Sequence, residues 1–272
     1  GRDASFTSGN IGRLYWGKVN SLVRNVLYIK PRVLIMLDTA EPSGKDADIT
    51  LLYQTQRLRD IIPSDTVSKI SKDGNTLSII HLNPEKPDVK AVETPHYLYT
   101  LRNEKPLVKE GMLTVSAKTT GKTLVMANLL TTLPFDEKSL GIVRDGGTIS
   151  GKIQDTAFAF TTVPGSVYSA HGIETDAAAF TLKGDTVFAA LAKTVKKDGR
   201  ILTTSNFPGT FEFMPGQVKY CTEKDTELII GVQSKPSKLK LNGNALKSFE
   251  YNAENKTVKI LVPKGEGMIE IL

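Results

Sequence analysis

Three dipeptides, Asp73-Gly74, Asp198-Gly199 and Asn242-Gly243, constrain the fold of this chain more than any other feature of its sequence. Each stands between two short strand-like runs: Val67–Ile70 and Leu77–Leu82, Phe188–Val195 and Ile201–Thr204, Leu239–Leu241 and Leu246–Tyr251. Asp-Gly and Asn-Gly tolerate positive φ and match the twist of paired strands, so each reads as a two-residue hairpin turn. Asp145-Gly146-Gly147 and the Pro-Gly pairs beginning at Pro164, Pro208 and Pro215 add further turns. Helical periodicity is missing. The longest candidate, Ala177–Ala192, is interrupted by Gly184 and Asp185 and is rich in Thr, Val and Phe. Strands are expected at Leu22–Ile29, Val33–Leu37, Ile49–Gln56, Thr156–Val163, Thr257–Val262 and Met268–Leu272. The unbroken apolar run Val33–Leu37 predicts a strand buried on both faces.

The expected fold is therefore all-β: a layered, supersandwich-like antiparallel β-sandwich with a smaller C-terminal β-unit. The weakest point for a boundary is Val163-Pro164-Gly165-Ser166, between a strand-like run and a Gly/Ser/His stretch. It predicts a main sandwich over residues 1–165 and a continuation with a smaller sandwich unit over residues 166–272.

Composition removes several alternatives. With 272 residues, 40% of them hydrophobic and 24% charged, the chain can bury a sizeable core and does not read as disordered. One cysteine, Cys221, excludes a disulfide framework; its alternating setting Val218–Thr222 predicts a buried, inert thiol. The longest clean aliphatic run falls far short of the roughly 20 residues of a membrane span. Residue 1 is Gly rather than Met, so a processed or excised chain is expected. A net charge of +6 suits a polyanionic partner, but no nucleic-acid motif or phosphate-cradling glycine loop accompanies it. No Gly-x-Ser-x-Gly and no Cys–His arrangement for nucleophilic attack occurs. His81, His96 and His171 lack the spacing of a metal site, so neither a metal nor another cofactor is expected.

The run Val23-Arg24-Asn25-Val26-Leu27-Tyr28-Ile29-Lys30-Pro31-Arg32-Val33-Leu34-Ile35-Met36-Leu37-Asp38 resembles a stretch of the heparinase II/III-like polysaccharide lyases. There an Arg, an aliphatic-aromatic strand, a Lys/Arg-Pro step and a buried strand ending in Asp lie in the β-sandwich that follows an α-helical toroid. Ile49–Thr55 looks like that family's next strand, and Leu239–Leu272 is similar to the ends of such chains. The resemblance implies a β-sandwich that supports or lines a cleft for acidic polysaccharide, in a secreted or periplasmic setting. Members cleave by β-elimination, using a tyrosine and partners from the toroid together with histidine motifs that precede the region matched here. None of those motifs occurs in this chain, so no catalytic residue carries over. The chain alone is expected to be non-catalytic, its missing partner being the N-terminal toroid. The alternative is a stand-alone glycan-binding or surface-interaction module.

Three places are candidates for carbohydrate contact. Arg13, Tyr15, Trp16 and Lys18 put the single tryptophan beside a tyrosine with cations on both sides. Aromatic rings stack on sugar faces and Arg pairs bidentately with sulfate or carboxylate. The plain alternative is an edge strand with Trp16 packed on the core. Arg57 and Arg59, placed at the end of a strand, point to one face and are candidates to hold an anion, or form a solvated rim. His96 and Tyr97 open a run that is either a sugar-facing strand or an ordinary surface strand. Lys193, Lys196, Lys197 and Arg200 flank a hairpin and read as a solubilising tip.

Overall fold

The computed structural model describes residues 1–15, 17–44, 46–96, 108–119, 121–246 and 248–272. Antiparallel strands make up most of it, and the helical pieces among the described residues are three short 3-10 turns, Gly12–Tyr15, Leu58–Asp60 and Glu137–Leu140. The hairpin dipeptides behave as their chemistry demands: Asp73, Gly74, Asp198, Gly199, Asn242 and Gly243 all have positive φ. Lys72 then pairs with Asn75, and Lys197 with Arg200, across loops of two residues. Ala177–Ala192 is not helical; it holds parts of two strands, Ala179–Lys183 and Thr186–Lys197, turning at Gly184 and Asp185. No helix among the described residues is long and apolar enough to cross a membrane.

The chain divides into two compact units, Ser5–Pro134 and Phe135–Leu272, the latter joined by Gly1–Ala4. The second unit thus begins earlier than the turn signals suggest, and Val163–Ser166 lies inside it. That segment is a reversal after the strand Thr156–Thr161, tied back by Ser166 N–H donating to the Val163 carbonyl at 3.2 Å. A Pro-Gly signal marks a change of chain direction and does not distinguish a linker from a turn within a sheet.

The first unit is built from β1 (Ala4–Asn10), β2 (Val19–Ile29), β3 (Val33–Pro42), β4 (Ala47–Thr55), β5 (Ile61–Ile62), β6 (Val67–Lys72), β7 (Asn75–Asn83), β8 (Asp88–His96), β9 (Val108–Thr119) and β10 (Leu124–Thr131). One sheet runs β1-β2-β3-β10-β7-β6-β5 and the other β4-β9-β8. Leu51, Leu113 and Val115 of the smaller sheet pack with Ile61, Ile79 and Met126 of the larger, forming a sandwich core. In β3 the apolar run alternates after all: Val33, Ile35 and Leu37 are buried, whereas Leu34 is 37% exposed. Leu34, Met36 and Asp38 share the other face, which passes from partly exposed at Leu34 to buried at Asp38, where the strand lies beside Met126 of the sandwich core.

The two ends of the Arg24–Asp38 stretch meet. Arg24 and Asp38 are directly paired residues of the β2–β3 ladder. Arg24 Nε donates to Asp38 Oδ1 at 2.6 Å and Nη2 to Oδ2 at 3.0 Å, a two-pronged bond that raises the guanidinium pKa. Asp38 is 1% exposed, so its charge depends on this partner. The Tyr53 hydroxyl, pushed above its ordinary pKa by burial and further by Asp38, has no hydrogen-bond partner among the described residues.

In the second unit the strands Thr186–Lys197 and Arg200–Met214 are long and bent, and each serves two neighbours. Gly209–Met214 pairs with Gln217–Thr222, whereas Thr203–Ser205 pairs with Leu228–Ile230 of the strand Thr226–Gly231. The bend coincides with breaks in register around Ala192, where Leu191 takes φ 55°. Asp176 Oδ1 accepts the Lys193 and Thr194 amides, each at 2.8 Å, so polar groups freed by the bulge stay satisfied. The core of this unit is aromatic and aliphatic, with Phe180, Phe211, Val195, Leu228 and Ile269 buried in one cluster.

Arg24→Ala should lower the unfolding free energy by about 3 kcal/mol, because it strands the Asp38 carboxylate. The Arg24→Ala, Asp38→Ala double variant should lose less than the sum of the single variants in urea denaturation.

Candidate functional site

Exposed cations without partners are the raw material of an anion site, and the first unit gathers three of them. A cleft of about 360 Å³ is lined by Gln56, Arg57, Arg59, Asp60, Ser71, Lys72 and Asp73. One wall comes from the chain leaving β4, the other from the tip of the β6–β7 hairpin. Among the described residues the side chains of Arg57, Arg59 and Lys72 form no ion pair. Lys90 and Lys109, by contrast, are neutralised by Asp88 and Glu93.

The wall holding the arginines is fixed by a close backbone approach. β4 ends at Thr55, and Arg57 instead precedes the 3-10 turn Leu58–Asp60, with Asp60 N–H donating to the Arg57 carbonyl at 3.1 Å. The two arginines are therefore set by a tight turn rather than by strand alternation, as the sequence had suggested, yet both face the cleft. Under this turn lies Gly111 of β9, opposite Thr55 in the ladder. A Cβ on Gly111 would sit 2.6 Å from the Arg57 carbonyl group and from Leu58 Cα, which are backbone atoms that cannot swing away. A residue without a side chain is what lets the turn seat there.

The other predicted residues fall elsewhere. Arg13 and Tyr15 belong to the 3-10 turn Gly12–Tyr15, not to an edge strand, because Gly12 packs tightly on β2. Lys18 follows, its amide bonded to the Tyr15 carbonyl at 2.9 Å, and the loop is held to Ser43 through the Lys18 and Gly17 carbonyls. Arg13 and Lys18 are exposed, and Tyr15 is 46% exposed. His96 is the last residue of β8, opposite Val108. Trp16 and Tyr97 lie outside the described residues. The sequence reading missed Gln56, Asp60, Ser71, Lys72 and Asp73 as cleft residues. Asp73 carried a signal, but as a turn residue, and nothing local tells which element a hairpin tip will face.

The histidines are accounted for differently. His81, on β7, is buried between Ser68 of β6 and Asn128 of β10: Nε2 lies 3.0 Å from Ser68 Oγ and Nδ1 2.7 Å from Asn128 Oδ1. The carboxamide oxygen only accepts, so Nδ1 carries the proton. Asn128 is placed opposite His81 by a bulge at Leu82, which re-aims the ladder by one residue. Burial is the largest influence on this imidazole and lowers its pKa, against smaller opposing contributions from Asn128, Ser64 and Asp65. The order Ser–His–Asn resembles a nucleophilic relay, but Ser68 is fully buried and out of reach of any substrate. His171 sits exposed in a turn at φ 50°. Cys221 is exposed rather than buried. Partial burial and the nearby Glu266 and Glu223 push its thiol up, which keeps it protonated and a weak nucleophile.

What the cleft offers is recognition. Arginine and lysine pair with carboxylate or sulfate, and Asp60, Asp73 and Gln56 can accept from hydroxyls.

Gly111→Ala should cost about 2 kcal/mol in thermal or urea unfolding, since the turn must shift off β9. Arg57→Ala, an exposed change, should stay within about 0.5 kcal/mol. For His81 the folded-state pKa is depressed, so the unfolded chain binds the extra proton first as pH falls. Stability should hold above about pH 6.5 and decline below it toward the folded value, by at most about 1.4 kcal/mol per pH unit. His81→Gln should remove that decline in a pH series of urea melts.

Compared with protein-family models and with curated protein sequences, the chain has no match in either.

Proposed function

We propose that this chain is a β-sandwich that binds acidic polysaccharide, as the C-terminal portion of a heparinase II/III-like lyase does in lining its substrate cleft. The observation that carries the reading is the cleft of the first unit, where Arg57, Arg59 and Lys72 converge without ion-pair partners among the described residues. The similarity of Arg24–Asp38 to that family supports it from the sequence side. In this reading an α-helical toroid supplies the reactive groups, the chain alone is non-catalytic, and its setting is secreted or periplasmic. His81 fits a supporting role, since both of its ring nitrogens are engaged inside the sheet.

A second reading, a stand-alone glycan-binding module, is favoured by one feature: every cleft residue lies between Gln56 and Asp73 of a single unit. The two readings share the same binding chemistry and differ in whether a helical partner acts with it.

Heparan sulfate, chondroitin and alginate oligosaccharides should bind at low salt and be released as ionic strength rises. Arg57→Ala with Arg59→Ala should weaken binding about tenfold, or about 1.4 kcal/mol, in calorimetric titration. Ultraviolet absorbance should show no build-up of unsaturated uronate when the chain is mixed with these glycans. No binding at millimolar ligand would overturn the binding claim, and steady product formation would overturn the non-catalytic one.

A further inference from the structure

The composition of the cleft narrows what it can hold. Its three cations face two carboxylates, Asp60 and Asp73, which among the described residues are in no ion pair themselves. The formal balance of these five side chains is one positive charge. A site shaped for dense sulfation would surround its ligand with cations alone, because each carboxylate repels every sulfate brought near it. Carboxylates in a sugar site do something else: they accept hydrogen bonds from hydroxyl groups, two at a time where the hydroxyls are adjacent. Gln56 adds an amide that both donates and accepts. Ser71 is already bonded to Thr76 Oγ1 at 2.9 Å and contributes less.

From this balance we infer that the cleft selects a singly charged, hydroxyl-rich sugar unit. One carboxylate is gripped by Arg57, Arg59 and Lys72, and neighbouring hydroxyls are read by Asp60 and Asp73. The inference rests on the acidic-polysaccharide reading and names the ligand class of the same site.

The test compares an unsulfated oligogalacturonate with a heparin oligosaccharide of equal length, both titrated calorimetrically against the whole chain at fixed ionic strength. Wild type should bind the oligogalacturonate more tightly. Asp60→Asn and Asp73→Asn should move the two ligands in opposite directions, weakening the oligogalacturonate about fivefold, since a charged hydrogen bond is replaced by a neutral one. They should also strengthen heparin, since a like charge is removed. Asn is suited to the φ of 50° at Asp73, so that substitution leaves the turn intact. Tighter heparin binding by wild type, or Asn variants that shift both ligands the same way, would overturn this inference while leaving the polysaccharide reading in place. Failure of both ligands to bind would overturn both.

Discussion

A carboxylate enclosed in a sandwich core has to be answered by a cation in a fixed place, and Asp38 imposes that requirement on the first unit. Its 1% exposure leaves no solvent to share the charge, and Arg24 can reach it only when β2 and β3 are in their observed register. A slip of one residue would turn Asp38 to the opposite face and Arg24 away from it. β10 then lies against β3 with Met126 opposite Asp38, and β7 lies against β10 with His81 opposite Asn128. The order of the sheet's central strands thus brings Asp38 to Arg24 and His81 to Asn128 in the interior, while Asn25 Oδ1 and Asn128 Nδ2 stay buried without a partner among the described residues.

The cleft obeys the opposite rule. Its charges are at the rim, in water, where leaving Arg57, Arg59 and Lys72 unpaired costs little. What the fold supplies is placement, through a turn seated on Gly111 and a hairpin tip brought beside it. Buried charge fixes the scaffold and exposed charge is left available to a ligand, and the two are separated within one unit.

Much of this was legible in the chain, and the boundary of legibility is physical. Turn dipeptides declare themselves because positive φ is a local property of Asp, Asn and Gly, so the hairpins at 73, 198 and 242 were readable. Arg57 and Arg59 were readable as a pair of exposed cations, but the tight turn that aims them was not, since it depends on Gly111 more than fifty residues away. The link from His81 to Ser68 and Asn128 required the strand order, which no local pattern contains. The alternation in β3 was hidden because Leu34 and Met36 tolerate partial exposure, leaving hydrophobicity flat where burial is not. The division of the chain escaped for a related reason: Pro134-Phe135 carries no cluster of turn or linker residues, while Pro164-Gly165 does.

The bent strands of the second unit have a consequence beyond geometry. Thr186–Lys197 and Arg200–Met214 each contribute one half to one set of partners and the other half to another. Peeling away either layer therefore frays strands that the remaining layer still needs. Neither half of these two strands can open without fraying the other, and amide exchange along both is expected to report a single opening event. A sheet that turns its own corner gains all-or-none melting from connectivity as much as from the number of contacts it makes.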